Sequence, residues 1–275
     1  RGLGDVYKRQ VLLENNTIGL GKKKDCQNRS VVTTPTEIVK YMVDKTLSKV
    51  CEGKTPSEIL NISVADIACG SGIFLEEAFA YLQDYCVQWY ICNGQTDHLI
   101  ETGIDLYKLP LQEKKDILCS CIYGIDIDIH AVEVAKFSLL IKLIEDETAP
   151  SVSEVVPILP DLGDNIQFGN SLVSQTELNG ISGANRQMME IAPFDWSTIN
   201  NGCGFDVIIG NPPYVNTEGM HALLPSAEVE VYKKKYKTSH KQFDKYFIFI
   251  EQAINKINEN GLVCYIVPNK FFKIG

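Results

Sequence analysis

The sequence predicts an α/β protein, a mostly parallel sheet with helices on both faces. Short apolar runs alternate along the chain with longer stretches of helical periodicity, the pattern of βαβ units. A glycine turn, Cys69-Gly70-Ser71-Gly72, follows the first apolar run, and a later one, Phe205 to Gly210, leads into Asn211-Pro212-Pro213-Tyr214. Open parallel sheets collect their ligand chemistry at such strand ends. At 275 residues and 45% hydrophobic, the chain can bury the core of one large domain without invoking a second.

The first expected helix is Pro35 to Val50, capped by Thr34 or Thr36, with Ile38, Val39, Met42, Val43 and Leu47 as its apolar face. Ile62 to Ile67 is the first strand, and Ile73 to Tyr90 the helix after the glycine turn. A loop-rich stretch of roughly 25 residues leads to a second strand, Ile117 to Asp126, on which Cys119 and Cys121 share a face. The helix Ala131 to Ile144 follows, with Asp128 as its cap. Beyond the Pro-rich connection Pro150 to Pro160, Ile166-Gln167-Phe168 is the third strand, closed by Gly169-Asn170-Ser171, and Phe205 to Ile209 the fourth. The helix Tyr246 to Ile257 then turns at Asn260-Gly261 into a fifth strand, Leu262 to Val267. Residues 1–28 are expected to lie outside the core. Within them, Arg1 to Gln10 lacks a starting Met and resembles an artefactual translated stub.

Nine cysteines, an odd number without a CxxC pair, accompany four histidines, so neither a disulfide framework nor a metal site is expected. Reduced thiols, and the lack of a signal peptide or a membrane-length apolar run, point to the cytoplasm. The net charge of −9 argues against wholesale coating of a polyanion, so contact with nucleic acid would need a local basic patch. One runs through Lys233, Lys234, Lys235, Lys237, Lys241 and Lys245, interleaved with Tyr232, Tyr236 and Phe243. That interleaving fits phosphate contact as well as it fits a solvated face.

Asn211-Pro212-Pro213-Tyr214 suits methyl transfer to a planar amino nitrogen. The lone pair of such an amine is delocalised into its ring until two acceptors hold its hydrogens out of plane. The Asn211 side-chain oxygen and the Pro212 carbonyl can be those acceptors, while the paired prolines fix the backbone and place no competing N–H in the loop. Tyr214 offers a face on which an extruded base can stack.

Upstream, Asp66 to Gly72 lacks the third glycine of a dinucleotide fingerprint, which weakens the case for a pyrophosphate ligand. Its glycines still let a ligand approach the backbone, and the helix after them can receive a carboxylate. S-adenosylmethionine has a carboxylate, an ammonium and a ribose diol. Asp66 can serve the ammonium, Asp126 at the end of the second strand the ribose, and Asn170 after the third the adenine edge.

With those elements in this order the chain resembles the adenine-specific DNA amino-methyltransferases. The resemblance is closest to the methyltransferase region of type IIG restriction-modification enzymes and their phage-defence relatives. It rests on Thr33 to Ile38, Asp66 to Gly72, Ile122 to Asp128, Gly169 to Leu172, Phe205 to Val215 and Tyr265 to Asn269, and it spans roughly Arg29 to the end. It implies a Rossmann-like S-adenosylmethionine-dependent methyltransferase fold over residues 29–275, with its final strands missing. Thr34 and its neighbour Pro35 would meet the cofactor carboxylate, with Asp66, Ala68, Gly70, Gly72, Asp126 and Asn170 completing the cofactor site. Asn211, Pro212, Pro213 and Tyr214 would act on the target base. Double-stranded DNA is the implied partner, with a target-recognition domain or specificity subunit supplied from outside this chain. Residues 1–275 alone are accordingly expected to be inactive. The alternatives are a methyltransferase of RNA bases or of protein glutamine, and a non-catalytic DNA-binding module.

Overall fold

The computed structural model describes residues 9–14, 17–22, 34–147 and 157–269. Arg1 to Lys8, Thr33 and much of the connection Pro150 to Pro160 lie outside the described residues. β1 (Arg9–Glu14) and β2 (Thr17–Lys22) form an antiparallel hairpin, so Arg9 and Gln10 take part in a paired strand.

α1 (Thr36–Cys51) follows Pro35, and neither Thr34 nor Thr36 caps it. It buries Val39, Met42, Val43 and Leu47, while Ile38, expected on the same face, sits beside that stripe and is 45% exposed. α2 (Pro56–Ile59) opens with a capping box between Thr55 and Glu58 and delivers the chain to β3 (Val64–Asp66). The glycine turn then enters α3 (Ile73–Cys92).

The stretch expected to be loop-rich is structured. It holds a hairpin of β4 (Ile100–Gly103) and β5 (Leu106–Lys108), then α4 (Leu111–Cys121). The expected strand Ile117 to Asp126 is therefore corrected: its first half is the end of α4, and β6 is Ile122–Asp126. The helical period wins because Leu111, Lys114, Ile117, Leu118 and Cys121 are all buried, a spacing of three and four residues. Cys119 and Cys121 consequently do not share a face; Cys121 is fully buried and Cys119 only partly.

α5 (Ile129–Ile144) is capped by Asp128, as expected, its carboxylate accepting from His130 N at 2.8 Å. There follow β7 (Ile166–Phe168), α6 (Ala184–Ile191), β8 (Phe205–Gly210), α7 (Thr217–Leu223), α8 (Ser226–Lys235) and α9 (Lys245–Lys256). β9 (Ile257–Tyr265) starts earlier than expected because Ile257 already pairs with Phe205. The chain then bulges through Asn260 (φ 68°) before Leu262 resumes pairing with Val207.

Among the described residues, five parallel strands stand in the order β7-β6-β3-β8-β9. Both faces are covered. Val207 and Ile209 point into a core with Val39, Leu47, Phe79, Leu118 and Leu139, while the intervening Ile208 joins Ala65, Ile67, Tyr232, Ile248 and Phe249 on the other side. No helix among the described residues is long and apolar enough to cross a membrane.

Gly72 shows how tightly the turn packs. Its φ is 88°, and a Cβ there would stand 3.0 Å from the Cβ of Ala135 on α5. Gly72→Ala should lose about 1–3 kcal/mol of stability, from backbone strain and overpacking together. Urea unfolding followed by circular dichroism measures the loss.

Candidate functional site

β3 stands at the middle of the sheet. From it the chain builds outward to β6 and β7 on one side, and only later to β8 and β9 on the other. The strand order reverses between β3 and β8, which opens a crevice at their carboxyl ends. Asp66, the glycine turn, Asp126, Asn170 and Asn211 to Tyr214 all follow or end these strands.

Asn211 meets Thr34. Its Nδ2 donates to Thr34 Oγ1 at 3.1 Å, so the threonine assigned to a ligand by resemblance fixes the Asn211 carboxamide here. The Tyr214 hydroxyl donates to Asn211 Oδ1 and, at 2.7 Å, to the carbonyl of Ile266 just beyond β9. One phenolic proton thus has two acceptors. Burial, with Tyr246 nearby, pushes the Tyr214 phenol above its usual range, which keeps it a donor at neutral pH. Its ring stands edge-on to Tyr246 with centroids 6.0 Å apart. Pro212 is buried, and Pro213 is half-buried beside it.

Asp66 lies across the β3–β8 boundary. Its Oδ1 accepts from Ala68 N at 3.0 Å, and the same oxygen is 2.6 Å from where a Cβ on Gly210 would stand. Only a residue without a side chain at 210 lets the carboxyl rest there, directly before Asn211. Burial pushes Asp66 up to about 8; the Ala68 N–H opposes the shift and the neighbouring Asp126 adds to it. Asp126 holds the glycine turn, its Oδ2 accepting from Gly70 N at 2.8 Å and its Oδ1 from Asp128 N at 2.9 Å. Burial raises Asp126 as well, against those two N–H groups and the pull of Lys245. Two acids held this way suit a ligand that brings a cation and hydroxyl donors.

Asn170 is buried and engaged within the protein. Its Oδ1 accepts from Leu172 N at 3.1 Å and its Nδ2 donates to Glu228 Oε1 at 3.0 Å. Glu228 also accepts from the Tyr232 hydroxyl and lies 3.6 Å from Lys245 Nζ. Glu228 escaped sequence reasoning because an acid in the first turn of a helix is ordinary. Its one signal was the apolar company of Ala227, Val229, Val231 and Tyr232, all buried with it.

The basic run divides. Lys245 is buried against Glu228, and Tyr232, Tyr236 and Phe243 are core: α8 and the loop after it turn the interleaved rings inward, away from any phosphate contact. Lys234 pairs with Glu230 at 2.6 Å, and Lys235 with Glu177 at 2.9 Å and with the Leu172 carbonyl at 3.0 Å. Lys233 is exposed beside His221, and Lys237 and Lys241 are exposed.

Asp66 gives the site a pH signature. In the unfolded chain an aspartate titrates near ~3.9, and here it titrates at about 8. A raised acid favours folding fully below the lower value and loses that contribution as pH rises to the upper one. Asp66→Asn should therefore gain melting temperature relative to the parent as pH climbs from about 4 to about 8, with the gap constant above. Thermal melts across that range would show it, and a gap that shrinks with pH would contradict the assignment.

With the geometry in place, the comparisons with known proteins are specific. The family of Eco57I restriction-modification methylases matches residues 120–275. The type II restriction enzyme and methyltransferase RM.Eco57I of Escherichia coli is 43% identical over 277 aligned residues, covering 99% of this chain and 27% of that protein. The type II methyltransferase M.BstVI of Geobacillus stearothermophilus is 24% identical, covering 78% of this chain and 29% of its own length. The chain thus spans little more than a quarter of either relative. Among solved structures, the DrdV–DNA complex aligns with a TM-score of 0.54 at 18% identity, over 90% of this chain and 21% of that one. A nuclease-deletion mutant of the type ISP restriction-modification enzyme LlaGI, in complex with a DNA substrate mimic, aligns at 0.51 and 17%, over 86% and 18%. At these identities the structures speak to the fold, a Rossmann-like methyltransferase fold. The family match over more than half of the chain settles the kinship: this chain belongs to the Eco57I restriction-modification methylases.

Proposed function

We propose that the chain is the catalytic core of a DNA methyltransferase that transfers a methyl group from S-adenosylmethionine to the exocyclic amine of adenine, within a restriction-modification system. The observation that carries this reading is the Asn211–Tyr214 loop at the mouth of β8, beside the buried carboxyl of Asp66. Its relatives support it, RM.Eco57I being both a restriction enzyme and a methyltransferase, and DrdV being solved on DNA.

When bound, S-adenosylmethionine supplies a methyl group on a positively charged sulfur. The residues present fit such a ligand. Gly70 and Gly72 open the turn's backbone to a ligand, and the turn leads into a 20-residue helix whose amino terminus can receive a carboxylate. Asp66 supplies negative charge for an ammonium, and its burial strengthens that pairing by excluding water. Asp126 would accept from ribose hydroxyls on the lone pairs that remain once Gly70 N holds Oδ2 and Asp128 N holds Oδ1. Asn170 keeps a lone pair on Oδ1 for an adenine amino group, its Nδ2 being turned away toward Glu228.

On the target side, Asn211 Oδ1 and the Pro212 carbonyl accept the two hydrogens of the amine and free its lone pair for in-line attack. Tyr214 makes room for this. Its hydroxyl bonds both acceptors here, and a shift wholly onto the Ile266 carbonyl would leave Asn211 Oδ1 open while the ring offers its face to the extruded base. Catalysis is then mostly positioning and electrostatics.

In a full-length parent, Asn211→Ala should lower adenine methylation by roughly two to three orders of magnitude while leaving cofactor affinity close to unchanged. Analysis of methylated bases in treated DNA decides it. Near-parental activity would sink the mechanism, and methylation of RNA or of a protein amide would replace DNA as the substrate.

Replacing Lys237 and Lys241 in the same parent should weaken binding to all DNA sequences alike. The slope of log affinity on log salt should fall by about one unit for each lost phosphate contact. Fluorescence anisotropy across salt concentrations measures this, and a loss confined to one recognition sequence would assign these lysines to bases instead.

A further inference from the structure

Tyr265 ends β9 with its hydroxyl buried and without a hydrogen-bond partner among the described residues. An orphaned buried hydroxyl weakens a fold, and phenylalanine would fill the same space without that penalty. Its position suggests what the hydroxyl is for. Tyr265 pairs with Gly210 across the β8–β9 ladder, and on the far side of Gly210 the Asp66 carboxyl occupies the space a side chain at 210 would need. Phenol and carboxyl flank one glycine. Burial, together with the charge on Asp66, pushes the phenol well above its usual range, so it keeps its proton and, toward an ionised carboxylate, can act only as the donor. Asp66 has an acceptor to spare: Ala68 N occupies Oδ1, and Oδ2 takes no hydrogen bond among the described residues.

We propose that Tyr265 is a positioning residue for cofactor binding: when a ligand ammonium draws Asp66 into its ionised form, the Tyr265 hydroxyl donates to Asp66 Oδ2 and holds the carboxylate toward the ligand. The proton released by Asp66 leaves to solvent, and the phenol remains protonated throughout. In the ligand-free chain, where Asp66 carries its own proton at neutral pH, the phenol lacks a charged acceptor and the bond is unmade. A hydrogen bond to a charged group is about twice as strong as one between neutral groups, so it contributes mainly in the complex. The inference rests on reading Asp66 as the ammonium acceptor.

Calorimetric titration with S-adenosylmethionine tests it on the chain itself, Tyr265→Phe, Asp66→Asn and the double variant. Tyr265→Phe should bind about tenfold or more weakly, while its ligand-free melting temperature equals or exceeds that of the parent. In the Asp66→Asn background, where no charged acceptor remains, the same change should cost less than about threefold. Equal affinity of Tyr265→Phe and the parent would overturn the inference and leave the cofactor site standing. So would an undiminished loss in the Asp66→Asn background, or a loss accompanied by a lower melting temperature, since either marks a packing role. A parent chain that binds no S-adenosylmethionine would overturn the cofactor reading itself, and this inference with it.

Discussion

Val64 and Ala65 lie in parallel register with Val207 and Ile208, and this contact brings together two stretches of chain that lie far apart in sequence. It is pinned at its amino end. Asp206 Oδ2 accepts from both the amide and the hydroxyl of Ser63 at 2.9 Å, across a separation of 143 residues. Asn258 reaches the other oxygen of the same carboxylate at 3.0 Å, so β9 is tied to the identical point. Register matters because a slip of one residue would turn every side chain to the opposite face. Gly210 would then no longer stand where the Asp66 carboxyl needs empty space, and Tyr214 would lose its alignment with Ile266.

That geometry has an electrostatic cost. Asp66 and Asp126 are both pushed up by burial, and each is pushed further by a neighbouring acid, Asp126 beside Asp66 and Asp128 beside Asp126. Lys245 eases Asp126, yet it is engaged with Glu228, which also orients Asn170. The result is a chain of dependence: the ion pair of α8 and α9 steadies the amide after β7 and, through Lys245, the acid after β6. The same residue donates its backbone N–H to Val215 at 2.7 Å, just after the Asn-Pro-Pro-Tyr loop. Removing one partner of such a buried pair leaves an uncompensated charge, so the ligand side and the target side would loosen together. Local conflict of this kind is expected where a fold gives up stability to hold a site ready.

Much of the sheet was legible because β3, β6, β8 and the second half of β9 are mostly apolar runs, the first three of them ended by glycine or a polar turn, and the residues singled out for a site sit at such ends. What misled was the segment before Ile122. Ile117 to Asp126 is apolar enough to read as one strand, and only the burial of Leu111 and Lys114 one and two turns earlier reveals that its first half is helical. Lys114 carries no such signal in sequence; it is buried because Glu147, far along the chain, meets it at 2.6 Å. Lys245 and Glu228 were opaque for the same reason. Burial of a charge is decided by a partner from another element, and periodicity records nothing about partners. Thr34 was singled out by resemblance as a ligand contact, and its hydrogen bond with Asn211 comes from the placement of α1 against β8, a tertiary fact that periodicity does not record.

The lysine cluster separates structural from functional charge. Lys233, Lys234 and Lys235 form the last turn of α8, where cations complement the negative end of the helix dipole. Two of them are further engaged, Lys234 along its own helix and Lys235 with Glu177 and the Leu172 carbonyl two residues after Asn170. These lysines would be retained by a protein that never met a polyanion. Lys237 and Lys241 differ, because they stand exposed after the helix has ended, and the backbone N–H of Lys237 is already anchored on Glu251 at 3.0 Å. An anchored loop presenting cations on a body of net charge −9 is thus a local positive feature on a surface that is acidic on average, which the helix-bound lysines are not.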